Sequence, residues 1–420
     1  MRTRRMSLPD PIGPKTAAQR RWLSIVGIGE DGVDGLSPVA RAQIADAEIV
    51  FGGKRHLSLA APLIRGVMRV WPSPFEQAVA EVLAHRSHQV CVLASGDPFL
   101  YGVGSVLARH VDAREMIVTP ASSAFSLAAA RLGWALPDTS LVSLHGRSLD
   151  LVRPHLQPRA RLLALTSDAD GPEALARLLT QIGFGASPLT VLEALGGPKE
   201  RVRTTTAKTF DLCNINPLNT VAIEVVAGPD ARIIAGAAGL PDELFEHDGQ
   251  ITKREIRAIT LSSLGPRSGE LLWDVGAGSG SIAIEWMLAD TSLKAIAVEA
   301  RADRAARIYR NAAALGVPGL RVVEGHAPEV LLDLPSPDAV FVGGGGNNAG
   351  VLDTVVNALR SGGRLVVNAV TLETESLLIG RRASMGGDLT RIAVARAAPI
   401  GDRTAWRSAM PVTQWVWTKP

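Results

Sequence analysis

Leu271-Leu272-Trp273-Asp274-Val275-Gly276-Ala277-Gly278-Ser279-Gly280-Ser281 is the stretch whose reading decides the fold of the second half of the chain. A short apolar run with strand character ends in alternating glycines, and a helical pattern over 281–288 follows at once. Glycines at such a turn let the backbone approach a ligand closely. Glu299 closes the next strand pattern, 294–298, where a carboxylate accepts hydrogen bonds from both hydroxyls of a ribose. Strand, loop, helix and acid fall in register, which argues against glycines that merely turn the chain. Ser281 stands where a dinucleotide fingerprint wants its third glycine, and a sulfonium donor has no pyrophosphate to seat on a helix N-terminus. The loop therefore reads as a cradle for S-adenosylmethionine rather than NAD.

Outward from that loop, strand-like runs alternate with helical patterns, the mark of α/β architecture. The second half continues with a helix over 252–264 before the loop, a helix over 301–315, and strands over 321–324, 339–342, 364–369, 389–395 and 414–418. That sheet, finishing in an antiparallel pair, is the plan of class I methyltransferases, a Rossmann-like fold. In the first half, strand runs fall at 23–26, 48–51, 89–94, 116–118, 140–143, 161–165, 189–192 and 220–226. Ser37-Pro38 opens a helix over 39–47, Ser122 is placed to cap one over 124–132 closed by Gly133, and Gly171-Pro172 opens one over 173–182. The segment 227–249 has weak periodicity and reads as a linker. The expected division is a disordered arm over 1–20, a first domain over 21–238 with lobes 21–118 and 119–238, and a second domain over 239–420.

A chain of 420 residues is long enough for two or three domains. A net charge of only +3 argues against a dedicated nucleic-acid binder. The basic residues are nearly all arginine, which suits either a polyanionic organic substrate or a genome of matching base composition. Cys91 and Cys213 have no metal-ligand or C-x-x-C spacing, so no metal site is expected and a cytoplasmic location is natural. No apolar run approaches a membrane span, and the basic, proline-bearing start has no signal-peptide core.

The second half resembles the C15-methylating, decarboxylating corrin methyltransferases. The likeness rests on His247-Asp248-Gly249-Gln250-Ile251-Thr252-Lys253-Arg254-Glu255-Ile256-Arg257, the glycine loop, Glu299, Gly325-His326-Ala327-Pro328-Glu329 and the run Gly343-Gly344-Gly345-Gly346. The resemblance implies that Thr252, Asp274, Gly276, Ala277, Gly278, Ser279, Gly280, Glu299 and Ala327 line the donor site. His326 stands where the family usually has Asp. Gly343, Gly344 and Gly345 read either as space and backbone N–H groups for a large flat substrate or as a flexible turn.

In the first half, Gly27-Ile28-Gly29-Glu30-Asp31-Gly32 imitates a dinucleotide loop, but the next strand ends in Gly52-Gly53 instead of an acid. Its companions are Ser95-Gly96-Asp97-Pro98-Phe99-Leu100-Tyr101-Gly102, Thr119-Pro120-Ala121-Ser122-Ser123, Ser143-Leu144-His145-Gly146-Arg147 and Val191-Leu192-Glu193-Ala194-Leu195-Gly196. In that order they resemble the blocks of the tetrapyrrole methylases, over roughly residues 22–226, a family of two-lobed α/β fold. The resemblance implies that Ser95, Gly96, Asp97, Ser122, Ser123, Thr166, Leu195 and Gly196 line a donor site. Gly27 and Gly29 would face the macrocycle, with Tyr101 and Arg147 as further substrate contacts. Asp97 has three open readings: anchoring the donor's ammonium, taking a substrate proton, or capping its own turn. His145 and Arg147 are both open between lobe packing and carboxylate binding, and Asp97 and His145 are the candidate catalytic residues.

The order of the halves is similar to that of fused C5- and C15-methylating corrin methyltransferases of cobalamin biosynthesis. That likeness implies precorrin-6B as substrate, precorrin-8X as product, S-adenosylmethionine at two sites per chain, and a homo-oligomer. The rival reading is methylation of another acceptor, such as rRNA or protein. No Pro-Pro-aromatic box and no strong basic face supports it.

Overall fold

The computed structural model describes residues 21–346 and 348–420; the arm expected over 1–20 lies outside them. Contacts divide the chain into two compact units. The first holds the described residues up to His145 together with Arg161–Val226; the second holds Gly146–Ala160 and Ala227–Pro420. The sequence reading instead divides the chain between residues 238 and 239 and keeps 146–160 with the first domain.

The first unit contains two five-stranded sheets. Strands β1 (Leu23–Ile28), β2 (Ile49–Gly52), β3 (Val67–Val70), β4 (Val90–Ser95) and β5 (Met116–Thr119) form a parallel sheet ordered β3-β2-β4-β1-β5. Neighbouring residues of one strand point to opposite faces, and both faces are covered. Ile25, Phe51 and Val92 pack with Val82 and Leu107, on α3 (Ala78–Ala84) and α4 (Val103–Leu107). Val26, Val50 and Leu93 pack with Ile44 and Leu57, on α1 (Pro38–Ala45) and α2 (Lys54–Ala60). This two-sided burial is why β1, β2 and β4 read as apolar runs. β3, an edge strand with every residue exposed, leaves no such trace.

Strands β6 (Thr139–Ser143), β7 (Arg161–Leu165), β8 (Pro188–Glu193), β9 (Arg201–Thr206) and β10 (Asn219–Glu224) form the other sheet, ordered β6-β7-β10-β8-β9. Only β6 and β7 pair in parallel. Helices α5 (Ala124–Leu132) and α6 (Gly171–Gln181) belong to this lobe. The cap of α5 is Ser123, not Ser122. Ser123 has the extended backbone an N-cap needs, and its hydroxyl accepts from the Ser126 N–H, so Ser122 falls one residue outside the helix.

The second unit is built on β11 (Leu271–Val275), β12 (Lys294–Glu299), β13 (Arg321–Glu324), β14 (Ala339–Val342), β15 (Arg364–Ala369), β16 (Asp388–Ile392), β17 (Ala395–Ile400), β18 (Arg403–Ser408) and β19 (Val412–Thr418). Seven of them form one sheet, β13-β12-β11-β14-β15-β19-β16, parallel from β13 to β15 and antiparallel where β19 meets β15 and β16. The strand read at 389–395 is in fact two pieces: β16 ends at Ile392, and Ala395 opens the separate β17–β18 hairpin. Helices α7 (Arg254–Leu264), α8 (Ser281–Ala289), α9 (Ala302–Ala314), α10 (Val351–Ala358) and α11 (Leu372–Met385) complete the unit.

The stretch read as a linker is packed into this unit. Ile234, Leu240 and Phe245 join the core. The N–H groups of Gly239 and Leu240 donate to the buried Glu285 carboxylate at 2.6 and 2.9 Å. Arg257, fully buried on α7, donates to Glu285, Asp242 and the carbonyls of Leu240 and Thr252, with its guanidinium over the Phe245 ring. Weak periodicity here marks irregular backbone held by buried charge, not a free tether. Among the described residues, no helix is long and apolar enough to cross a membrane.

Candidate functional site

In the second unit the parallel strands β12, β11 and β14 end side by side, so their loops converge at one edge of the sheet, the usual place for ligands in such folds. The N–H groups of Gly276 and Ala277 donate to the Val298 carbonyl, drawing the glycine loop over the end of β12. Gly276 has φ +72°, and a Cβ there would lie 2.6 Å from the Gly344 carbonyl oxygen. Only glycine fits. The run at 343–346 is thus a packing partner of the cradle, with Gly345 also at positive φ.

Glu299 is buried at the tip of β12, accepting from the Gly278 N–H at 2.8 Å and the Arg301 N–H at 3.1 Å. On the neighbouring strand Asp274 is more deeply buried, and one of its oxygens accepts from the Ala283 N–H at 3.1 Å. Burial pushes its pKa up to about 7; the Ala283 N–H opposes that shift, and the negative charge of Glu299 adds to it. Its other oxygen and the buried Ser279 hydroxyl have no hydrogen-bond partner among the described residues.

A cavity of about 300 Å³ opens beside these strand ends. Of the sequence-read residues, Gly276, Glu299, Ala327, Gly344 and Gly345 form its wall, joined by Arg301, Arg304, His326 and Asn348. Gly343, Asp274, Ala277, Gly278, Ser279, Gly280 and Thr252 stand outside the wall. The segment before Thr252 nevertheless reaches the loop, since the Gln250 carbonyl would be 3.3 Å from a Cβ on Gly278. A size in the small-molecule range, a glycine cradle without room for side chains and a carboxylate at the second strand end fit the adenosyl part of S-adenosylmethionine. Arg304, on the wall, is paired with Asp248 at 2.9 Å, and that guanidinium is the main reason the Asp248 pKa is depressed.

The first unit joins loops from well-separated parts of the chain. A Cβ on Gly27 would lie 1.9 Å from the Gly96 carbonyl oxygen and 2.5 Å from the Ala121 nitrogen; one on Gly96 would meet the Ser122 carbonyl at 2.7 Å. Gly27, Ser95–Asp97 and Ser122–Ser123 are therefore brought together by backbone contact. Gly197, next to Leu195 and Gly196, is pressed on Glu30, where a Cβ would stand 2.6 Å from the Glu30 Cβ. At Gly29 a Cβ would meet the Asp31 carboxylate.

Asp97 caps its own turn, its Oδ1 accepting from the Phe99 N–H at 2.8 Å. Tyr101 is half exposed at φ 55°; its hydroxyl donates to the Leu141 carbonyl and its ring stands edge-on to Phe125. Thr166 is buried, with its hydroxyl given to Asn219 at 2.6 Å. His145 is exposed and contacts the Thr166 carbonyl through Nδ1 at 3.2 Å. Arg147 is exposed in the 146–160 segment, which belongs to the second unit.

Sequence reasoning missed four side chains that this geometry brings forward. Arg257 holds the Thr252 carbonyl in the second unit. In the first, Arg55 and His56 meet Ser95 at the strand ends, and Glu30 pairs with Arg55. The Lys54-Arg55-His56 sequence after Gly52-Gly53 was the available signal, a basic cluster where a ribose-binding acid was sought and not found.

Residues 243–419 match the family model described as a precorrin methyltransferase domain, and residues 23–211 match the tetrapyrrole (corrin/porphyrin) methylases. Over 412 residues the chain is 60% identical to a precorrin-6Y C(5,15)-methyltransferase [decarboxylating] from a Sinorhizobium species, covering 98% of this chain and 100% of that one. A Mycobacterium tuberculosis protein of the same name is 41% identical over 400 residues, covering 94% and 99%. Among solved structures, the C-terminal domain of precorrin-6Y C5,15-methyltransferase from Rhodobacter capsulatus is 46% identical, over 44% of this chain and 100% of that chain, with a TM-score of 0.42.

Proposed function

The chain belongs to the decarboxylating precorrin-6Y C(5,15)-methyltransferase family, and from that premise we propose that each unit holds its own S-adenosylmethionine and carries out one of two methylations. The enzyme is an S-adenosylmethionine-dependent C-methyltransferase of cobalamin biosynthesis, methylating precorrin-6B at C5 and C15 and decarboxylating the ring C acetate, whose carboxyl group leaves as carbon dioxide while a proton converts the remaining methylene to a methyl, to give precorrin-8X. The first unit takes C5; the second takes C15 and the decarboxylation.

Bound S-adenosylmethionine supplies an electrophilic methyl group on a sulfonium centre. The meso carbons of a reduced tetrapyrrole are enamine-like and already nucleophilic, so the chain's residues have mainly to orient and to exclude water. In the second unit Glu299 accepts the ribose hydroxyls, the backbone of Gly276 approaches the donor, and Gly325–Ala327 reads the adenine edge. Gly343–Gly345 leave room for the flat ring. The electrons left by decarboxylation pass into the conjugated macrocycle. In the first unit Ser95–Asp97, Ser122, Ser123 and Leu195–Gly196 hold the donor, while Gly27 and Gly29 face the ring. We further propose a cytoplasmic homo-oligomer without nucleic-acid or membrane partners. Apolar surface on the β17–β18 hairpin, where Trp406 is 77% and Ile400 65% exposed, supports self-association.

One observation carries the reading of the second unit: a glycine strand end with no room for a side chain, beside a buried carboxylate on the adjacent strand, at the wall of one cavity. The test supplies isotope-labelled methyl donor and precorrin-6B to the full chain and locates label at C5 and C15 by NMR, with calorimetry counting donor molecules per chain. Label at both carbons with two donors bound supports the proposal; a single donor site serving both carbons overturns it.

A further inference from the structure

In the parallel sheet of the first unit, β2, β4 and β1 are adjacent and end side by side. Each end delivers a polar group. Glu30 follows β1, Arg55 and His56 lie in the first turn of α2 after β2, and Ser95 is the last residue of β4. The Arg55 guanidinium donates through Nη1 to Glu30 and through Nη2 to the Ser95 hydroxyl at 2.9 Å and to His56 Nε2 at 2.8 Å. His56 Nε2 is also 2.8 Å from the Ser95 hydroxyl. Glu30 in turn is pressed on Gly197. The guanidinium therefore bonds to Ser95 in one loop read as lining the donor, and its partner Glu30 packs on Gly197, next to the other, Leu195–Gly196.

This arginine is not built like a structural one. Arg257 is fully buried and makes four hydrogen bonds; the Arg55 side chain is 37% exposed and that of Glu30 22%. An ion pair this accessible contributes little to stability and can exchange its anion. Yet a mostly buried imidazole is committed to it. Because a guanidinium only donates, Nε2 must accept and the proton sits on Nδ1, which is buried with no partner among the described residues. Burial and the Arg55 charge hold the His56 pKa down at about 4, so the imidazole is neutral. A neutral acceptor fixes the plane of the guanidinium without cancelling its charge. Among the described residues Glu30 is the one anion hydrogen-bonded to it, and it is placed where an incoming carboxylate can replace it.

We propose that Arg55, braced by His56 and Ser95 and held in reserve by Glu30, receives a carboxylate of the tetrapyrrole acceptor and so orients the ring for methylation in the first unit. The assignment rests on the proposed division of the two methylations. It makes Arg55 a substrate-binding residue and His56 a positioning residue.

The experiment follows label transfer to C5 and C15 separately, using the full chain, labelled methyl donor and precorrin-6B. Arg55→Gln removes a charge-assisted two-point contact, and the KM for C5 transfer should rise about 30-fold with kcat within about threefold. Donor affinity and C15 transfer should stay unchanged. Arg55→Lys keeps the charge without the fork and should fall between. Glu30→Gln removes the competing anion and should lower KM about threefold. His56→Gln, which still offers a neutral acceptor, should retain more C5 transfer than His56→Leu. A KM within about twofold of wild type in Arg55→Gln, or a loss confined to kcat or donor binding, overturns the assignment while leaving the division of labour intact. If Arg55→Gln fails to fold, Glu30→Gln and Arg55→Lys decide: a raised KM in the first or an unchanged KM in the second overturns it. A wild-type chain that places no methyl on C5 from its first unit overturns both readings together.

Discussion

The two units place different ionisable groups at the ends of neighbouring parallel strands. In the second, two neighbouring parallel strands end in buried acids, Asp274 on β11 and Glu299 on β12. In the first, neighbouring strands lead to Ser95 and to the guanidinium and imidazole of Arg55 and His56. The reaction brings together a cationic donor and a polyanionic acceptor. The acidic ends suit the donor, and the basic ends suit the acceptor's carboxylates. In the proposed reading the donor of the first unit is met by hydroxyls and backbone, which the glycine contacts among Gly27, Gly96 and Ser122 hold in place. The two folds put different partners at their strand ends.

The strongest challenge to this contrast is Gly276→Val. Its side chain would collide with the Gly344 carbonyl from a backbone at φ +72°, so donor should be lost from the second unit alone. C15 methylation and decarboxylation should fall at least about a hundredfold while C5 methylation continues, with one fewer donor bound per chain by calorimetry. Loss at both carbons would show that the sites are not independent. Next in size, Arg257→Met strips the buried Glu285 of its cation and should destabilise the second unit by about 3–5 kcal/mol in denaturant titration. The fold of the first unit should be unaffected.

The buried acid of the second unit also predicts a pH dependence. Unfolded, Asp274 ionises near pH 4; folded, it keeps its proton up to about pH 7. Between those values the folded state binds more protons, so stability declines as pH rises, by up to about 1.4 kcal/mol per pH unit, and levels off above pH 7. Asp274→Asn should flatten that slope in ligand-free protein. A slope of opposite sign would mean that the carboxylate is stabilised as an anion. The smallest effects separate two adjacent serines of the first unit. Ser123→Ala should cost about 1 kcal/mol through the lost cap. Ser122→Ala, at an exposed position, should stay within about 0.5 kcal/mol in stability and weaken only donor binding.

The cradle of the second unit was legible because it is contiguous. Strand, glycine turn and helix occupy one stretch, and β11, β13, β14 and β15 are bounded where the apolar runs begin and stop. The first unit was legible as a family likeness but not as a charge arrangement. Glu30 and Arg55 are 25 positions apart, Arg55 and Ser95 are 40 apart, and they meet only through sheet order. Strands β3 and β9 escaped because their residues are largely exposed and carry arginine, so neither makes a buried run. The packing of 227–249 escaped for a different reason: Arg257 and Glu285 hold irregular backbone through charges that sit in two ordinary-looking helices.

Residues 146–160 lie in sequence between two paired strands of the first unit yet fold with the second, where Val152 and Leu156 are buried and Pro154 sits where any side chain on Gly316 would collide. The polypeptide therefore passes from one body to the other three times, not once. A single scissor cut after Val226 would not yield two self-sufficient halves: the leading fragment would carry away a piece of its neighbour's interior, and the trailing one would be left with an open seam along α9.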